Sequence, residues 1–211
     1  MIREQSEYLR WSASAPEQRF AFTPANVIPV ETFEELKEYT QRQYQIGLSE
    51  VFLKQDFEIA RIICTGVDSV LRDFPNAQQY IREIAYGGKS SFLGTYEEYA
   101  DATQSRIIMF RKSFYSCKGQ AYSTAVHEVA HAVDISLGRV ADEVVNTALR
   151  ETAGHLNGKK AEQQLLELLG TKHWKDSVDK REIFAFSFEL CYINNKTKLA
   201  ETVFSRAKGM L

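Results

Sequence analysis

Residues 121–134 read AYSTAVHEVAHAVD. Val126, Val129, Ala130 and Val133 recur at helical spacing through this stretch, and Leu137 extends the stripe. The pattern predicts an amphipathic helix over 122–137, stopped by Gly138. His127 and His131 lie four residues apart and therefore share a face, where two imidazole nitrogens can meet one ion. Glu128 lies about 100° further round, near enough to reach a water beside that ion without binding the ion itself. The chemistry needs this division: two neutral histidines hold zinc, zinc lowers the pKa of its water towards 7, and the carboxylate takes the proton. With 4 histidines in 211 residues, chance places an HExxH pattern in roughly 0.7% of comparable chains. HEVAH at 127–131 therefore outweighs the competing reading, a histidine pair without metal.

Working outward, 31–44 has helical spacing, with Thr32 and Glu35 forming a capping box. A second helix is predicted over 49–73, with Gly66 bending or dividing it, and Pro75-Asn76 closes it as a turn. The period then changes: 80–86 (YIREIAY) reads as a strand, 92–99 as a loop or short irregular strand, and 105–115 (SRIIMFRKSFY) as the best strand of the chain. Beyond the HEVAH helix, helices are predicted over 141–150, 160–169, 181–194 and 196–208, the first two flanking a loop at 154–158. The order of helices, a few strands and helices again is that of an α+β fold. Residues 1–75 form an N-terminal arm and helical region packed on the core through Trp11, Phe20 and Phe22, and residues 76–211 carry the chemistry.

Composition narrows the function. There are 26 Lys+Arg against 28 Asp+Glu, a net charge of -2, and 44% hydrophobic residues. This argues for a folded globular chain and against nucleic-acid binding by bulk charge. No run approaches the roughly 18 apolar residues of a membrane span. Glu4, Glu7 and Glu17 stand where a signal peptide needs an apolar run. Cys64, Cys117 and Cys191 are far apart and odd in number, which suits free thiols. A cytoplasmic protein is expected, or one of phage origin or delivered by a route that reads no such signal; a monomer is the expected state.

A hydrolytic zinc site needs a third protein ligand. The pattern HExxHxxGxxH requires glycine at 134 and histidine at 137; the chain has Asp134 and Leu137. Later carboxylates include Asp142, Glu143, Glu151, Glu162, Glu167, Glu182 and Glu189, and His155 and His173 are further donors. Glu182 stands out because it opens EIFAFSFELCY, a helix apolar on nearly every side. A carboxylate entering such a helix pays heavy desolvation unless it is paired or coordinated. Deformylase-type HExxH chemistry would need a cysteine ligand well upstream, and Cys117 is only ten residues before His127.

HEVAHAVD followed by EIFAFSF resembles the anthrax lethal factor-like gluzincins, a group of zinc metallopeptidases that includes the Pro-Pro endopeptidases and minigluzincins. The resemblance covers these two motifs and the layout of strands before them, about 80–195. It implies a zincin-like catalytic domain, one zinc per chain held by His127, His131 and Glu182, and Glu128 as general base. It also implies a peptide or protein substrate lying extended along strand 105–115 as the sheet edge. At the position where the family has an oxyanion-stabilising tyrosine this chain has Lys175, so Lys175 or His173 is the candidate cationic partner. Where the family has a histidine-orienting carboxylate, four residues past the third ligand, stands Phe186; Asp134 and Glu189 are the candidate replacements, and Tyr192 is a further candidate for the cleft. The expected function is a zinc-dependent endopeptidase. The alternative is a zincin-like zinc-binding scaffold without proteolytic activity, acting as a binding or structural protein.

Overall fold

The computed structural model describes residues 22–153 and 179–211. Helix α1 (Phe33–Tyr44) starts at the expected capping box: Thr32 accepts from the Glu35 N–H, and the Glu35 carboxylate accepts from the Thr32 N–H. Strand β1 (Gly47–Leu48) and a 3-10 turn (Phe52–Lys54) follow, before helix α2 (Phe57–Asp73). The helix expected from residue 49 thus begins later, because Asp56 supplies the cap by accepting from the Ile59 N–H at 2.9 Å. Pro75 opens a 3-10 helix (Pro75–Tyr80) rather than a simple turn.

Gly66 does not divide α2, which runs unbroken from Phe57 to Asp73. A Cβ at this position would lie 2.8 Å from the Tyr122 carbonyl oxygen and 3.0 Å from the Ala125 Cβ. The glycine is there so that α2 and the HEVAH helix can cross at backbone contact. Tyr39 and Tyr44 of α1 donate to Asp68 of α2 at 2.6 and 2.7 Å, and Arg72 pairs with the same carboxylate. These bonds satisfy a carboxylate only 3% exposed.

Strands β2 (Glu83–Tyr86), β3 (Gly94–Glu97) and β4 (Arg106–Met109) complete a four-stranded sheet in the order β1-β2-β4-β3. The first three strands in that order run parallel, with Glu83 opposite Arg106, and β3 runs antiparallel to β4 with Gly94 opposite Met109. Two expectations change here. The strand expected over 105–115 shrinks to four residues. Past Met109, the Phe110 N–H turns to the Leu93 carbonyl and the Arg111 N–H to the Gly88 carbonyl, and the chain enters helix α3 (Arg111–Phe114). High β-propensity does not extend a strand beyond the partners that can pair with it. That strand is also interior; the terminal strand on this side is β3, in the segment read as loop or short irregular strand.

Helix α4 (Lys118–Ser136) carries HEVAH, and Gly138 follows its end at φ 91°. It is buried on every side from Gly119 to Ile135, so it is a central helix and not an amphipathic one. Helix α2 packs on it from one side and helix α6 (Lys180–Tyr192) from another, while β3 lies beside it. Helices α5 (Ala141–Ala153) and α7 (Lys198–Lys208) pack on each other and on α6. Phe188 of α6 lies within 5.1 Å, ring centre to ring centre, of Phe74, Phe184 and Phe204. The result is an α+β fold whose one core cluster runs from Ile28 to Ala207.

Phe22 packs its ring 5.2 Å from that of Tyr122. Trp11, Phe20, the loop at 154–158 and the helix expected over 160–169 lie outside the described residues. Among the described residues no helix is long and apolar enough to cross a membrane.

Candidate metal centre

Within α4, the 3.6-residue period brings His127 and His131 together, with ring centres 5.1 Å apart. α6 begins at Asp179, which caps it by accepting from the Arg181 N–H at 2.8 Å. That start places Glu182 in the first turn, facing both imidazoles. Its Oε2 is 3.1 Å from His127 Nε2 and its Oε1 is 3.4 Å from His131 Nε2. One donor atom from each of the three residues lies within 4.8 Å of the others. Tetrahedral zinc with bonds of about 2.1 Å separates its donor atoms by roughly 3.4 Å. Two imidazole nitrogens and a carboxylate oxygen at these separations fit that ion and leave a fourth position for water or substrate.

The site opens into a cleft of about 550 Å³ lined by His127, Glu128, His131, Asp179, Arg181, Glu182, Phe92 and residues 94–100. The His127 side chain is 2% exposed and the Glu182 side chain 26%, the most exposed of the three. Burial works to lower the His127 pKa, but the hydrogen bond with Glu182 and the neighbouring Glu189 carboxylate outweigh it and raise the group above its ordinary range. For His131 burial dominates and lowers the pKa to about 4. Burial likewise pushes the Glu128 carboxyl up to about 8, against the opposing charge of His127.

Glu128 is held by β3. A Cβ at Gly94 would come within 3.0 Å of Glu128 Oε1 and 2.9 Å of Thr124 Cγ2, so the strand leaves room for the carboxylate only because a glycine stands there. The Tyr96 backbone also hydrogen-bonds Glu128. The Tyr96 ring lies 6.2 Å from that of His131, and its hydroxyl donates to the Tyr80 carbonyl at 2.7 Å.

The two candidates for the orienting carboxylate separate cleanly. Glu189 lies seven residues after Glu182, two turns along α6, and so faces α4 from the same side. Its Oε2 is 3.7 Å from His127 Nδ1, and the residue is 0% exposed. Two carboxylates of one helix therefore bracket His127, one at each ring nitrogen. Asp134 serves elsewhere: it accepts from the Ala141 N–H at 2.7 Å at the start of α5 and pairs with Arg181. Tyr192 does not enter the cleft; its hydroxyl donates to Asp73 at 2.7 Å and its ring packs on Phe204. His155, His173 and Lys175 lie outside the described residues.

A carboxylate beside Nδ1 favours the proton on that nitrogen and would leave Nε2 free to meet a metal ion. Glu189→Gln is accordingly expected to weaken zinc binding about 10–100-fold, measured by competition with a chromophoric chelator. Affinity equal to wild type would show that Glu189 does not orient the histidine.

The sequence motifs name His127, Glu128, His131 and Glu182 as candidates, and the cleft adds Gly94, Glu98 and Arg181, which no motif names. Gly94 carried a usable signal, since a glycine inside a short strand marks close approach by another group. Arg181 and Glu98 meet across 83 positions, and nothing local announces that contact. Comparison with known protein families, with curated proteins and with solved structures finds no match to this chain.

Proposed function

We propose that this chain is a zinc-dependent endopeptidase of gluzincin type, with a zincin-like catalytic domain. The observation that carries the reading is the convergence of His127, His131 and Glu182 donor atoms within 4.8 Å in a cleft that Glu128 also lines. His127, His131 and Glu182 hold the ion. Zinc supplies Lewis acidity, which makes water nucleophilic near neutral pH and polarises a carbonyl oxygen.

The chain's own groups do the rest. Glu128 accepts the proton of the attacking water and delivers it to the departing amine nitrogen. Its position beside Gly94 keeps the carboxylate in the cleft and off the metal ligands. The terminal strand β3, and not 105–115, offers its outer main-chain edge to an extended peptide. Burial of the histidines excludes bulk water from the ligands and strengthens every electrostatic contact in the cleft.

Metal content tests the proposal: elemental mass spectrometry on dialysed, reduced protein, wild type beside Glu182→Ala. About one zinc per wild-type chain is expected, with clear loss in the variant. Wild-type protein that carries no zinc and takes none up would sink the reading. Zinc retained by the variant would move the third ligand to another donor.

A further inference from the structure

Arg181 stands one residue before Glu182, in the first turn of α6. A cation in the first turn of a helix is misplaced with respect to the helix dipole. Its surroundings explain the placement. One guanidinium nitrogen, Nη2, donates to Glu98 Oε2 at 3.2 Å, and Nε lies 3.4 Å from Asp134 Oδ2. Asp134 is 1% exposed and lies one turn past His131 on α4, so it belongs to the helix that carries both histidines. Glu98 immediately follows the terminal strand β3 and also accepts from Arg139, just beyond the end of α4. A single planar side chain thus touches three bodies: the helix with the two histidines, the end of the strand beside the cleft, and the turn that presents the third ligand.

The first turn of a helix lacks the full set of intrahelical hydrogen bonds. Glu182 must nevertheless hold its carboxylate against two imidazoles on another helix. We infer that Arg181 is a positioning residue for the metal centre, fixing the first turn of α6, and with it Glu182, through Asp134 and Glu98. The inference rests on the metal-site reading above. The Glu98 arm is partly exposed and on its own contributes little. The Asp134 arm is an ion pair with a buried acid, where a lost partner is felt more strongly. Lysine, a single point charge, cannot span both acids as the guanidinium fork does.

The test is zinc affinity of the full chain, by competition with a chromophoric chelator, for wild type, Arg181→Met, Arg181→Lys, Glu98→Gln and the Glu98→Gln/Arg181→Met pair, with thermal melts alongside. Arg181→Met is expected to weaken binding about tenfold while melting within a few degrees of wild type. Arg181→Lys should recover part of the loss. Glu98→Gln should lose less than Arg181→Met, and the pair should bind no more weakly than Arg181→Met alone. If wild type binds zinc, Glu182→Ala does not, and both Arg181→Met and Glu98→Gln bind as tightly as wild type, the inference falls and the metal site stands. If Arg181→Met loses affinity only with a matching collapse of its melting temperature, and Glu98→Gln is unchanged, Arg181 serves the fold and the inference falls. A wild-type chain that takes up no zinc overturns the metal-site reading and this inference with it.

Discussion

Glu128→Gln is expected to keep its zinc and to lose about 10²–10⁴-fold in peptide hydrolysis. The exchange is isosteric and leaves His127, His131 and Glu182 in place, so the metal has no reason to depart. What it removes is the group that the proposed mechanism uses to accept a proton. A carboxylate in the pocket by Gly94 can take up a proton, and an amide in its place cannot. The measurement is turnover of a peptide substrate identified by library screening, with metal content read on the same samples. Hydrolysis at the wild-type rate would mean that the base lies elsewhere. Full biological activity in the variant would favour the other reading of the chain, a zinc-holding scaffold that works by binding a partner.

Phe188→Ala should cost about 3–5 kcal/mol of stability. The ring is 0% exposed and sits among Phe74, Phe184 and Phe204, with ring centres 4.8–5.1 Å away. Those neighbours belong to α7, to α6 itself and to the residue that follows α2, so no single element can move to fill the void. At roughly 2–4 °C per kcal/mol for a chain of this size, the melting midpoint falls well outside experimental error. Tyr115, 76% exposed, is the control: Tyr115→Ala should stay within about 0.5 kcal/mol. Chemical denaturation of both variants decides the matter, and a Phe188→Ala loss below about 1 kcal/mol would mean that the aromatic cluster does not anchor α6.

What could be read from sequence was mostly what short-range periodicity determines. His127 and His131 share a face because a helix turns every 3.6 residues, and this holds wherever the helix sits. Glu182 was legible for a different reason, as a carboxylate at the head of an apolar helix, where an unpaired charge is costly. Its partner Glu189 follows from the same helix read two turns on. Long-range placement was not legible. The composition of RIIM at 106–109 announces a strand but not its rank in the sheet: β4 is interior, and β3 occupies the edge. The valine and alanine stripe of α4 predicted one buried side, but α2, α6 and β3 cover the polar positions as well. The contact of Arg181 with Glu98 and Asp134 depends on three elements arriving together, and no window of sequence contains all three.

The complete burial of α4 bears on how this protein tolerates change. An ordinary surface helix accepts substitutions on a rhythm, one lenient position every turn or so, and that rhythm is where natural variation and engineered labels accumulate. From Gly119 to Ile135 this helix has no such position. Each residue meets protein, so every exchange is judged by volume and hydrogen bonding. Mutational scanning of the chain should therefore find an unbroken intolerant block there, in which alanines resist enlargement as firmly as the histidines resist replacement. Within that block, loss of function alone cannot tell a chemical role from a packing one; only metal content and melting temperature, read side by side, separate the two.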